Sequence, residues 1–177
     1  MKRWSLGPAD LLAGLDEHGV CTAWVEPGGS APKGMCGAGA PVDAIMGSER
    51  DMMVDEVIDA IERWVIDPRA TPGRLPAGPP FHRACWAAAC LITPGSTVTY
   101  AGLAAMAGRP AAARAAAQAM ARNRLAPLVP CHRVIASSGL GGFMGRSASE
   151  GDAGWALGLK RWLLDRERAP AARGPAA

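Results

Sequence analysis

The sequence predicts an α+β protein, with a small strand-containing N-terminal domain followed by a mainly helical one. Three observations carry this. Val20-Cys21-Thr22-Ala23-Trp24-Val25 is an apolar, partly β-branched run of strand character. Two Ala-rich stretches, over 81–91 and 111–122, have high intrinsic helix propensity. Between the halves, Pro68, Pro72, Pro76, Pro79 and Pro80 interrupt either periodicity. The expected units are 1–66, an extended linker over 67–80, a second domain over 81–168 and a disordered tail over 169–177.

In the first unit, the strand over 20–25 leads into a Gly- and Pro-rich loop over 28–41. Ser48 with Asp51 three residues on forms a capping-box pattern. It opens a helix with Val54, Val57, Ile58, Ile61, Trp64 and Val65 on one face. The second unit starts with a helix over 81–91, which places Cys85 and Cys90 in the core or on the helix face, and turns at Thr93-Pro94-Gly95-Ser96. Helices over 100–107 and 111–122 flank the tight break Gly108-Arg109-Pro110, a helix-turn-helix pattern that any packed helix pair also fits. Leu128-Val129 reads as the end of a short apolar strand, since Pro130 cannot donate to a β ladder. Cys131, His132 and Arg133 are then left on an irregular turn.

The charge is unevenly divided. Residues 1–80 carry seven Lys or Arg and twelve Asp or Glu, a net −5, whereas residues 81–177 carry twelve and four, a net +8. A basic half suits a polyanion, because neutralising phosphates releases condensed counterions, although a solvated basic surface has the same composition. Arginine supplies eleven of those twelve cations, which favours planar phosphate contacts and stacking. No apolar run is long enough to span a bilayer, and Met1-Lys2-Arg3-Trp4 is not followed by a secretory apolar core, so a cytoplasmic protein is expected. Five cysteines at irregular spacing argue for reduced thiols. His18, Cys21, Cys36 and His82 fit no tight metal-ligand spacing, and no metal is expected.

Cys131 is the candidate nucleophile. A thiolate is the reactive form, and a neighbouring histidine or cation lowers a cysteine pKa; His132 and Arg133 are the next two residues. The same residues also fit a cysteine packed as a small hydrophobe.

Pro130-Cys131-His132-Arg133-Val134 resembles the signature of the O6-alkylguanine-DNA alkyltransferases. The resemblance extends over about half the chain. Upstream lie Pro80-Phe81-His82-Arg83 with Trp86, Thr97-Val98-Thr99-Tyr100, Gly108-Arg109-Pro110, Arg114 and Asn123. Downstream lie Gly141-Gly142-Phe143, then Lys160-Arg161-Trp162-Leu163-Leu164 and Glu167 in a closing helix.

The resemblance implies an irreversible, single-turnover transfer of an alkyl group from guanine O6 in double-stranded DNA to Cys131, by a monomer and without a cofactor. It assigns His132 as general base through a water, Glu167 as the carboxylate orienting it, and Asn123 as a brace for the Cys131 segment. Tyr100 would hold a phosphate and donate a hydrogen bond near the purine. Arg114 would fill the stack vacated by the extruded base, with Ala115 and Arg122 also on DNA. Met120, Val134, Phe143 and Met144 would wall the guanine pocket, and Arg133 would anchor structure or phosphate. The alanines of 111–122 leave no long readers for the major groove and suit the narrow minor groove, although the whole chain is Ala-rich.

Three departures stand out. The loop Gly141-Gly142-Phe143-Met144-Gly145-Arg146 lacks the family's serine and last glycine. An apparent insertion follows over 146–156. Pro127, and Arg124 in place of a proline, alter the approach to Cys131. The rival readings are a non-enzymatic sensor of alkylated DNA, a cysteine hydrolase using Cys131, His132 and Glu167, and a helix-turn-helix regulator.

Overall fold

A computed structural model describes residues 1–16, 19–30, 48–144 and 153–169. Most of the loop over 28–41, the insertion up to residue 152, the tail from residue 170, and His18, Cys36 and Arg146 lie outside them, as do the side chains of the Ser48–Asp51 capping pattern.

Three strands, β1 (Lys2–Leu6), β2 (Ala9–Asp16) and β3 (Gly19–Val25), form an antiparallel sheet in the order β1-β2-β3. Only β3 was expected. Of its neighbours, β1 is largely exposed and β2 reads Ala-Asp-Leu-Leu-Ala-Gly-Leu-Asp, with no β-branched residue. Local propensity therefore does not announce β2 as a strand; pairing with β1 and β3 along its length makes it one. Helix α1 (Ser48–Ile66) lays Val57, Ala60, Ile61 and Trp64 into the core, and Trp64 meets Trp24 of β3 edge-on at 6.3 Å between ring centres.

Helix α2 (Pro80–Cys90) opens on a proline, whose missing N–H costs nothing at the first helical position. Strand β4 (Val98–Thr99) leads into α3 (Tyr100–Met106), where the Thr99 side chain accepts the Gly102 N–H at 3.0 Å as an N-cap. Helix α4 (Ala113–Ala121) begins later than expected, because the Ala112 N–H bonds the Arg109 carbonyl in the preceding turn. Buried Ala88, Ala89, Ala104, Ala116 and Ala119 let α2, α3 and α4 approach closely, and Trp86 Nε1 donates across to the Ala119 carbonyl at 2.9 Å.

The expected apolar strand before Cys131 is instead a turn. The Val129 N–H bonds the Leu125 carbonyl, and Pro127 (after a cis peptide bond) and Pro130 both lack the N–H a ladder needs. A 3-10 turn, Cys131–Arg133, follows, and the strand comes after it: β5 (Val134–Ile135) pairs parallel with β4. Helix α5 (Ala153–Arg168) closes the described chain. One hydrophobic cluster joins Leu11 and Trp24 of the sheet and Ile61 of α1 to Trp86, Leu103, Ala116 and Leu159 of the helices. Thr22 of β3 also bonds the segment leading to Cys131, through its N–H to the Arg124 carbonyl at 2.7 Å. No helix among the described residues is long and apolar enough to cross a membrane.

Candidate active site

Cys131 lies at the floor of an open cavity of about 340 Å³, lined among others by Tyr100, Arg114, Met120, Gly142, Phe143 and Met144. The turn that presents it is braced by Asn123. Its Nδ2 donates to the Val129 carbonyl at 2.7 Å and its Oδ1 accepts the Leu125 N–H at 3.0 Å, an Asx-type arrangement. Cys131 is 8% exposed, so one face of the side chain meets the cavity while the rest is desolvated.

The His132 and Arg133 side chains both engage Glu167 of α5. His132 is fully buried, with Nε2 2.6 Å from Glu167 Oε1. Arg133 donates from Nε to both Glu167 oxygens at 3.1 and 3.0 Å and from Nη2 to Oε1 at 2.8 Å. It also donates from Nη1 to the Ile92 carbonyl at 2.7 Å and from Nη2 to the Pro68 carbonyl at 3.2 Å. The Gly95 N–H gives Glu167 Oε2 a further bond at 2.8 Å. Burial alone would raise the Glu167 pKa, but bonds from His132, Arg133 and Gly95 outweigh it and hold the carboxyl at about 2. Burial pushes the His132 pKa down despite Glu167, so the imidazole is neutral. With an ionised carboxylate on Nε2, that nitrogen carries the proton. Nδ1, which has no hydrogen bond among the described residues, is then a proton acceptor.

This corrects the expectation that adjacent His132 and Arg133 depress the Cys131 pKa. Burial pushes that thiol up, and the bond from Asn123 and the Lys160 cation only partly oppose it. Arg133 is committed to Glu167, so the resting nucleophile is a thiol.

Lys160 is the site residue that sequence reasoning missed as such, having placed it only in the closing helix. It is fully buried, and its Nζ donates to the carbonyls of Val134, Leu140 and Gly142 at 2.7, 2.6 and 3.2 Å. Burial lowers its pKa to about 8, while the nearby Cys131 favours the cation. A lysine flanked by apolar residues on a helix face was the available signal. Lys160→Met should cost about 1–3 kcal/mol, because three carbonyls facing the core lose their donor. It should also change the rate at which a thiol reagent modifies Cys131, as the Gly141–Gly142 corner is released from β5. Urea denaturation and the modification rate check both, and an unchanged rate would remove Lys160 from the site.

The other candidate residues are spread around this centre. Tyr100 OH is 3.5 Å from the Gly142 carbonyl, and burial followed by the Cys131 charge raises its pKa. Arg114 is exposed on the rim, and Ala115 is half-buried beside it on α4. Phe143 is buried and Met144 takes a left-handed φ of +56°, unusual for a side-chain-bearing residue. Val134 does not line this cavity: as part of β5 it is fully buried, and only its carbonyl serves the site, through Lys160. Arg122 lies beyond the end of α4 and faces a different cavity. Among the described residues, no three His, Cys, Asp or Glu side chains are grouped to hold a metal.

A thiol opening onto a cavity, with a neutral buried imidazole oriented by a carboxylate, is the equipment of a protein that uses cysteine as a nucleophile. Comparison with known proteins narrows this class. The family model for the 6-O-methylguanine DNA methyltransferase DNA-binding domain matches residues 80–169, and the chain belongs to that family. The methylated-DNA–protein-cysteine methyltransferase of Mus musculus is 38% identical over 119 residues, which cover 62% of this chain and 53% of the relative. The constitutive enzyme of that name from Bacillus subtilis is 42% identical over 91 residues, covering 51% of this chain and 50% of the relative. The matches thus span about half the length of these curated relatives. In three dimensions, Mycobacterium tuberculosis OGT in its crystal structure with DNA superposes with a TM-score of 0.61 over 96% of this chain and 94% of that one, at 24% identity. That likeness establishes the fold.

Proposed function

We propose that this protein extrudes an O6-alkylated guanine from duplex DNA and takes the alkyl group irreversibly onto Cys131. The observation that carries the reading is Cys131 at the floor of a cavity rimmed by α4 and Arg114, backed by His132 and Glu167.

Extruding a base costs a few kcal/mol of stacking and pairing. Helices α3 and α4 serve as a helix-turn-helix whose alanines, Ala115 among them, admit the backbone to the minor groove. Arg114, exposed at the cavity rim, enters the vacated stack and offsets part of the cost. Met120, Phe143 and Met144 then enclose the purine.

The thiol proton passes through a bridging water to His132 Nδ1, and Glu167 stabilises the imidazolium that forms. The thiolate attacks the alkyl carbon, forming the S–C bond as the C–O6 bond breaks. The electron pair goes to the purine, which Tyr100 stabilises by donating a hydrogen bond and which is finally reprotonated to guanine. The Lys160 cation favours the thiolate. The product thioether has no leaving group, so each chain acts once, as a monomer, and the damaged base itself is the alkyl donor.

Arg114→Ala should slow transfer from a duplex about 10- to 100-fold, equivalent to about 1.4–2.7 kcal/mol of barrier. Transfer from the free O6-methylguanine base, which needs no extrusion, should change little. Single-turnover rates on both substrates decide it; an equal loss on the free base would place Arg114 in the chemistry instead.

A further inference from the structure

A cavity larger than the one holding Cys131 lies elsewhere in the protein. It encloses about 640 Å³ between α1, the segment 72–79, α2 and the residues just after α4. We propose that it is a second ligand site, for a phosphate-bearing molecule with a flat apolar body, the chemistry of a nucleotide.

Two independent features point to a ligand. The first is His82, which is 8% exposed, lines the cavity and makes no hydrogen bond among the described residues; its only ring contact is edge-on with Trp86 at 6.0 Å. The imidazole keeps one N–H donor and one bare nitrogen acceptor, and the cavity is where they can meet a ligand. The second is charge. Arg74 and Arg122 line the cavity, where Glu56, over Gly73, is the one carboxylate among the described residues; Arg124, also on the wall, has contacts of its own. Neither Arg74 nor Arg122 is in an ion pair among the described residues. Arg122 lies close enough to His82 to add to burial in lowering its pKa, and an anion between the two would relieve that repulsion.

The rest of the wall is apolar, with Val57, Leu75, Pro76 and Leu125 offering flat surfaces. Arginine recognises phosphate through its planar fork, and a mostly apolar concavity with a few convergent polar groups is the usual form of a small-molecule site. The position adds to this. Arg114 and Met120 of α4 face the Cys131 cavity, whereas Arg122, just past its end, faces this one. A nucleotide here could be free or part of a DNA strand passing the end of α4.

The test is a heteronuclear NMR titration of the full chain, following the His82 ring and Trp86 indole resonances. The probes are thymidine 5′-monophosphate, thymidine and inorganic phosphate. The monophosphate should shift both resonances saturably and bind at least several-fold tighter than either fragment. Arg74→Glu, on the exposed wall, should weaken it at least about five-fold, with methyl transfer to Cys131 unchanged. A short undamaged duplex that displaces the monophosphate would identify the DNA strand as the occupant, and simultaneous binding would identify the free nucleotide; both support the site. The absence of a saturable shift, thymidine or phosphate binding as tightly as the monophosphate, or an Arg74→Glu variant that binds normally would each overturn it. Because transfer to Cys131 is read separately by mass, failure of this site leaves the repair reading untouched.

Discussion

Glu167→Ala should destabilise the fold by about 3–5 kcal/mol and nearly abolish alkyl transfer. The carboxylate is the common acceptor for His132, Arg133 and the Gly95 N–H, and all of these except the glycine are buried side chains. Removing it leaves the Arg133 guanidinium buried and uncompensated, which is the costly way to break such a pair. It also frees the imidazole to rotate and removes the negative charge that stabilises it when protonated. Urea denaturation measures the first effect, and a loss below about 1 kcal/mol would contradict this account of α5 as the anchor of the turn. The pH dependence has a definite sign. The Glu167 pKa falls from an ordinary 4.5 to about 2 on folding. Its stabilisation is therefore fully present above about pH 4.5 and is lost as pH falls toward 2. The stability gap between wild type and Glu167→Gln should close over that window.

Cys131→Ser should lose transfer completely while keeping the fold and the affinity for lesion-bearing duplex. The hydroxyl is close in size to the thiol, so packing on the cavity floor is preserved. A hydroxyl, however, is a far poorer nucleophile than a thiolate toward an alkyl carbon, and its higher pKa makes loss of its proton through a bridging water much less favourable. DNA affinity is set chiefly by contacts to phosphates, which this change does not touch. Fluorescence anisotropy with an O6-methylguanine duplex should give an affinity within about three-fold of wild type. A large loss of binding would mean that Cys131 is a structural residue.

Much of the second half was legible because its signals are local. The turn over 93–96, Pro130 before Cys131 and the Ala-rich helices all act within a few residues. Three features were not legible, each because residues outside the element itself decide it. Strand β2 has no strand propensity of its own and is made by its neighbours. The Leu128-Val129 run is apolar because it is buried, and the prolines on both sides turn a plausible strand into a turn. The side-chain directions of His132 and Arg133 could not be read from adjacency to Cys131. A carboxylate 34 and 35 residues downstream engages both, and burial leaves the thiol protonated at rest. Lys160 was visible as a residue, but its role arises only where α5 meets β5 and the Gly142 corner.

The most direct test of the central claim is the intact mass of the full chain after incubation with excess O6-methylguanine duplex, beside Cys131→Ser. The account predicts a single methyl increment on the wild type, saturating at one per chain and mapping to Cys131, with none on the variant. Lesion-selective binding with no increment on the wild type would contradict it and make this protein a sensor of alkylated DNA.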